Sequence, residues 1–144
     1  MGSVKESLRH TRFGGSMLLR ALLIWIVIIA VETIHGIVRR ILLVPLVGES
    51  LSNQAGVFIG SGLIVVVVWT AYDWLAAYSL RAQLLIGALW CLLTFSFETG
   101  LGYSLGYSPD QILAGYDPWQ GGLMLFGMVI LLCSLLIVSR LRGR

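Results

Sequence analysis

Four stretches of the chain are dominated by Leu, Ile, Val, Phe, Ala and Gly, bracketed by Arg20 and Arg40, Asn53 and Asp73, Arg81 and Leu101, and Gln120 and Arg140. An α-helix rises about 1.5 Å per residue, so roughly 20 such residues cross a hydrocarbon core of about 30 Å. The pattern predicts an all-α bundle of four transmembrane helices over about 18–44, 53–75, 82–102 and 120–141. Short links, GES at 48–50 and YSLRAQ at 78–83, suit helical hairpins.

The third link, within 103–119, is longer and patterned. Its SPDQILAG segment predicts a short interfacial helix over about 109–114. Ser108 is the N-cap, Pro109 stands in the first turn, Gln111 completes a capping box and Gly115 is the C-terminal stop. The repeated GYS at 102–104 and 106–108, with Tyr116 and Trp119, supplies amphipathic rings to a membrane interface. This loop is expected on the outer face, lying on the membrane or covering a cavity.

Composition fixes the class: 58% of residues are hydrophobic and 12% charged, with mean hydropathy +0.90, whereas soluble domains run to about a quarter charged. The 144 residues read as one membrane domain with a polar cytoplasmic tail over 1–16. Lys5, Arg9, Arg12, Arg20, Arg81, Arg140, Arg142 and Arg144 gather on one side of this topology, and the third link carries no Lys or Arg. The positive-inside rule then puts both termini in the cytoplasm of a bacterial-type inner membrane. The bilayer is the expected partner, with a homodimer or larger membrane complex as a further expectation; the +3 charge sits at span borders, which argues against nucleic acid. The apolar run 21–31 is short enough for a signal peptide, but no small-x-small site follows and the polar period continues past it. Cys91 and Cys133 lie inside apolar runs without a CxxC motif, so they read as packing residues.

Against this background ETIHGIVRR, residues 32–40, stands out. At about 100° per residue, Glu32, His35 and Arg39 share one face of the first helix, with Arg40 beside them. Measured from Arg20, Glu32 lies about 18 Å, His35 about 22 Å and Arg39 about 28 Å along the span. A carboxylate near the midplane must face the bundle interior. On the third helix Glu98 rises about 25 Å from Arg81, at the end of a small and polar seam, Gly87, Cys91 and Thr94. The stripe of helix one is expected to face this seam, Arg39 or Arg40 meeting Glu98 and Glu32 meeting His35. Gly56, Gly60, Ser61 and Gly62 predict a surface on helix two where another backbone approaches closely. Asp73 is expected to pair with Arg81.

Three chemistries fit Glu32, His35, Arg39, Arg40 and Glu98: a salt-bridge network that fixes register, a proton or solute relay, and a metal site on Glu32, His35 and Glu98, since E-x-x-H is the pair that lines di-iron bundles. A single in-span histidine excludes bis-histidine haem, no phosphate loop or Ser-His-Asp set is present, and no cofactor is specified. The pattern favours a transport-type or proton-coupled component, or an accessory membrane subunit, over a membrane enzyme or metal-binding protein. ETIHGIVRRILLVPLVG, FETGLGYSLGYS and ILAGYD together resemble small bacterial four-span integral membrane proteins, a likeness that implies the fold and transfers no activity. Small multidrug exporters also pair four helices with a glutamate in the first span, but the neighbouring histidine and arginines, the second acid at Glu98 and the structured third link depart from that pattern.

Overall fold

A computed structural model describes residues 14–143, and among them all regular structure is helical. Most of the tail expected over 1–16 lies outside these residues, with Lys5, Arg9, Arg12 and Arg144; residues 15 and 16 already belong to the first helix. Four helices are long and apolar enough to cross a membrane: α1 Gly15–Val47, α2 Glu49–Leu75, α3 Leu80–Ser104 and α5 Met124–Leu141. The short α4, Pro109–Ala114, and a 3-10 turn, Pro118–Gln120, lie between α3 and α5.

The fold class matches the hydropathy pattern, while the ends of the helices move for local reasons. α1 continues past the expected residue 44 because Pro45 is accommodated rather than terminating. Proline has no N–H to give to the carbonyl four residues back, and the preceding turn, Arg39–Leu43, widens into a π-helix in which Val44 N–H bonds to Arg39 O. The hairpin to α2 is then a single residue. Gly48 takes φ 82°, ψ 169°, a conformation open almost only to glycine, so Glu49 and Ser50 join the helix. Ser79 caps α3 by accepting from Ala82 N–H at 3.2 Å. The capping box on α4 is present, Ser108 Oγ accepting from Gln111 N–H and Gln111 Oε1 from Ser108 N–H. Gly115 ends α4 in right-handed geometry. Its value is size: an added Cβ would lie 2.9 Å from Met124 Sδ. The fourth span begins at Met124 rather than 120 because the 3-10 turn uses Pro118–Gln120.

α2 packs extensively on α1 and α5, and α5 on α3, while α1 and α3 touch lightly. All four spans bring one basic end together, where Arg20 donates to Trp74 O at 2.8 Å. Asp73 there meets Arg142, just past the end of α5, at 2.5 Å. Arg142 also donates to Trp69 O and stacks on the Trp69 and Tyr72 rings. The hydrophobic core fills the half of the bundle nearest this end: Ala21, Ile24 and Ile28 of α1 meet Ile64, Val68 and Tyr72 of α2, Ile86 and Trp90 of α3, and Leu131, Leu135 and Val138 of α5. Towards the opposite end the buried face of α2 changes to Gly60, Gly56 and Ser52. Apolar filling therefore stops halfway along the bundle.

The seam of Gly87, Cys91 and Thr94 is divided between two neighbours. Gly87 lies against the Leu132 backbone of α5 and Cys91 Sγ donates to Met128 O, while Thr94 accepts from Trp25 of α1 at 3.0 Å. Most of the seam therefore serves α5. A Cβ at Gly87 would overlap the Leu132 carbonyl, whereas one at Gly62 has nothing within 4 Å. Gly87→Ala is expected to lower the unfolding free energy in detergent by about 1–3 kcal/mol, and Gly62→Ala to stay within about 0.5 kcal/mol of the parent; equal effects would contradict the α3–α5 contact.

Candidate functional site

Above the apolar core, at the end opposite the basic cluster, the bundle holds a cavity of about 690 Å³. Glu32, His35, Arg39, Arg40 and Glu98 are all among the residues that line it. They do not form a packed, mutually paired cluster. Arg40 is exposed, and the other four are partly buried.

The stripe on α1 is seated against α2 rather than α3. A Cβ at Gly60 would lie 2.8 Å from Glu32 Oε2, and one at Gly56 would lie 2.7 Å from Arg39 Cδ. The two glycines leave shallow seats in which the carboxylate and the arginine stem lie flat on the helix. One turn further, Arg39 Nη1 donates to Ser52 Oγ at 3.1 Å and to Asn53 Oδ1 at 2.6 Å. The expected Arg39–Glu98 pair is not made: the guanidinium takes neutral oxygens on α2, which the one-residue hairpin at Gly48 brings alongside.

Glu32 and His35 pair as expected, with His35 Nδ1 3.6 Å from Glu32 Oε2. That separation is long for a hydrogen bond and becomes an ion pair when the imidazole is protonated. The side chains remain 30% and 14% exposed, yet Glu32 Oε1 and His35 Nε2 are buried atoms with no hydrogen-bond partner. Native interiors leave few such groups. Two adjacent ones, on side chains lining one cavity, mark a place where the protein offers polar capacity that its own side chains do not use.

Glu98 finds a partner that spacing gave no means of foreseeing. Tyr116, just after α4, donates to Glu98 Oε2 at 2.6 Å while its ring packs on Phe95 at 5.4 Å. The loop is held down by close backbone contacts, since a Cβ at Gly122 would overlap the Ala114 and Gly115 carbonyls. The only hint in the sequence was an aromatic amphipathic residue in a capped, structured loop. Burial first, and then the bond to the Glu98 carboxylate, push the Tyr116 phenol above its ordinary range.

Among the described residues no three His, Cys, Asp or Glu side chains are grouped to hold a metal ion. The metal reading of Glu32, His35 and Glu98 thus gains no support from geometry. No protein-family model matches the chain, and neither a curated protein nor a solved structure matches it.

A phenol whose folded pKa is raised contributes stability that is fully present below the unfolded value near pH 10 and is lost as pH rises through the folded value. In an ultraviolet titration Tyr116→Phe should therefore remove tyrosinate absorbance only from the region above about pH 10. Loss from the lower part of the curve would contradict the Tyr116–Glu98 bond. The same variant is expected to cost about 0.5–1.5 kcal/mol of stability near neutral pH.

Proposed function

We propose that this chain is a small transport-type protein of a bacterial inner membrane, with both termini cytoplasmic, whose cavity opens outward and exchanges protons through Glu32 and His35. The observation that carries the reading is the pair of unpartnered buried atoms, Glu32 Oε1 and His35 Nε2, on side chains lining a cavity in the half of the bundle away from the basic end. A carboxylate at this depth costs about 2.5–3.5 kcal/mol on insertion scales. A purely register-fixing network would offset that by giving Glu32 an arginine. Here the nearest guanidinium is spent on Ser52 and Asn53, and the only ion-pair partner of Glu32 among the described residues is a histidine. A carboxylate and an imidazole side by side, each with one atom that no protein group satisfies, can pass a single proton between them and a neighbouring group. That suits uptake and release of protons together with a ligand bound in the cavity.

The reading is tested by solid-supported-membrane electrophysiology on reconstituted vesicles. A pH step should give a transient current as protons reach groups part-way into the membrane, and Glu32→Gln should reduce it to the level of protein-free vesicles while the protein still unfolds at a temperature close to that of the parent. A current of parental size in Glu32→Gln rejects the proposal.

A further inference from the structure

α1 and α3 both line the cavity and touch only lightly, which leaves room for a slit in its wall between them. Those helices meet where Trp90 Nε1 donates to Ala21 O, Trp25 Nε1 donates to Thr94 Oγ1, and the Trp25 and Phe97 rings stack edge to face at 6.4 Å. Three turns beyond Trp25, Gly36 lines the cavity with nothing within 4 Å of where its Cβ would stand. One turn beyond that, Arg40 is exposed, lines the same cavity, and makes no hydrogen bond or ion pair with the described residues. The slit has a sill of Trp25, Thr94 and Phe97 and a free cation at its top.

Depth decides what meets this slit. Arg40 stands twenty residues from Arg20, about 30 Å along the helix, which is the thickness of the hydrocarbon core, so its long side chain reaches the adjoining layer of lipid phosphates. Below Arg40 the slit faces acyl chains. Leaving Glu32, His35 and Glu98 open sideways to hydrocarbon would cost several kcal/mol, so whatever fills the cavity must also close that side. A freely soluble ion does not. A molecule with a polar head inside and an apolar tail in the slit does, and Ile28, Ile29, Val57, Met124, Met128 and Leu131 give the cavity the apolar walls that such a molecule needs.

Charge narrows the head. The lining carries two guanidiniums, Arg39 and Arg40, and three carboxyl groups, Glu32, Glu49 and Glu98. A phosphate suits the arginine fork, but a head that is only anionic also meets the carboxylates. A head bearing both signs meets neither penalty.

We propose that the cavity binds a zwitterionic, amine-bearing phospholipid of the surrounding leaflet, entering between α1 and α3, with its phosphate at Arg40 and its ammonium among the carboxylates. This deepens the transport reading, on which it rests, by giving the ligand class and the route of access. Volume is consistent, since about 690 Å³ falls within the range of about 300–1,000 Å³ typical of ligand sites.

The test is native mass spectrometry of the purified full chain exchanged into detergent with phosphatidylethanolamine, phosphatidylglycerol, or soluble glycerophosphoethanolamine. One phosphatidylethanolamine per chain should be retained. Arg40→Ala should weaken retention at least about tenfold, with partial recovery in Arg40→Lys. Gly36→Trp, which places a ring in open space, should block retention without lowering the unfolding temperature. The proposal is overturned if no phospholipid is retained, if phosphatidylglycerol is held as well as phosphatidylethanolamine, or if Arg40→Ala and Gly36→Trp bind like the parent. Equal binding of glycerophosphoethanolamine would show that the ligand is a soluble phosphate ester arriving from water, and a dimer whose interface covers the α1–α3 side would show that protein closes the slit; either result also overturns it. The pH-step current reads Glu32, so a chain that gives the current and retains no lipid keeps the proton reading and loses this one.

Discussion

The organising constraint is where the charged stripe of α1 can lie. Glu32 and Arg39 occur on a helix that is otherwise hydrophobic, and neither can be left in hydrocarbon without a cost of several kcal/mol. Gly60 and Gly56 solve the problem sterically. With no Cβ on α2 at those positions, the carboxylate and the arginine stem lie between the helices, and Ser52 and Asn53 provide oxygens for the guanidinium one turn on. The hairpin at Gly48 sets that register, because a one-residue turn leaves no freedom for α2 to slide relative to α1.

That arrangement divides the bundle in two. In the basic half, Ile, Val, Leu, Tyr and Trp interlock into a core, and the helices are held close by Gly87 against Leu132 and by the Trp90–Ala21 bond. In the other half, the residues of α2 that would fill a core are glycine and serine, and space remains between the helices. The π-turn at Arg39–Leu43 belongs to the same half. It lets Pro45 stand within a continuing helix and carries α1 on to the Gly48 turn. Stability and openness are thus separated along the membrane normal, and the groups with ionisable character stand on the open side.

Much of this was readable in the sequence because a membrane makes hydropathy and length decisive. Bookends about 20 residues apart located four spans, helical phase collected Glu32, His35 and Arg39 on one face, and rise per residue put Glu98 at a comparable height. Partners were less legible. Arg39 and Glu98 looked complementary by charge and depth, yet each is satisfied locally, by the Ser52–Asn53 pair and by Tyr116. Choosing between those outcomes needs the lateral order of the helices, which spacing along one helix does not contain. The glycines were recognised as a close-contact surface, but whether a backbone or a charged side chain would occupy it depends on that same order. Helix ends were misplaced where one residue changed the local rule, at Pro45 and Gly48.

The account depends most directly on the glycine seats, and a double-mutant cycle measures them. Gly60→Ala brings a methyl within 2.8 Å of Glu32 Oε2, so its cost in unfolding free energy should be present with Glu32 in place and disappear when Glu32 is alanine. A coupling energy of about 1 kcal/mol between the two positions is expected for groups in contact. Additivity within about 0.3–0.5 kcal/mol would mean that the carboxylate is not seated on α2, and that the charged stripe of α1 faces elsewhere.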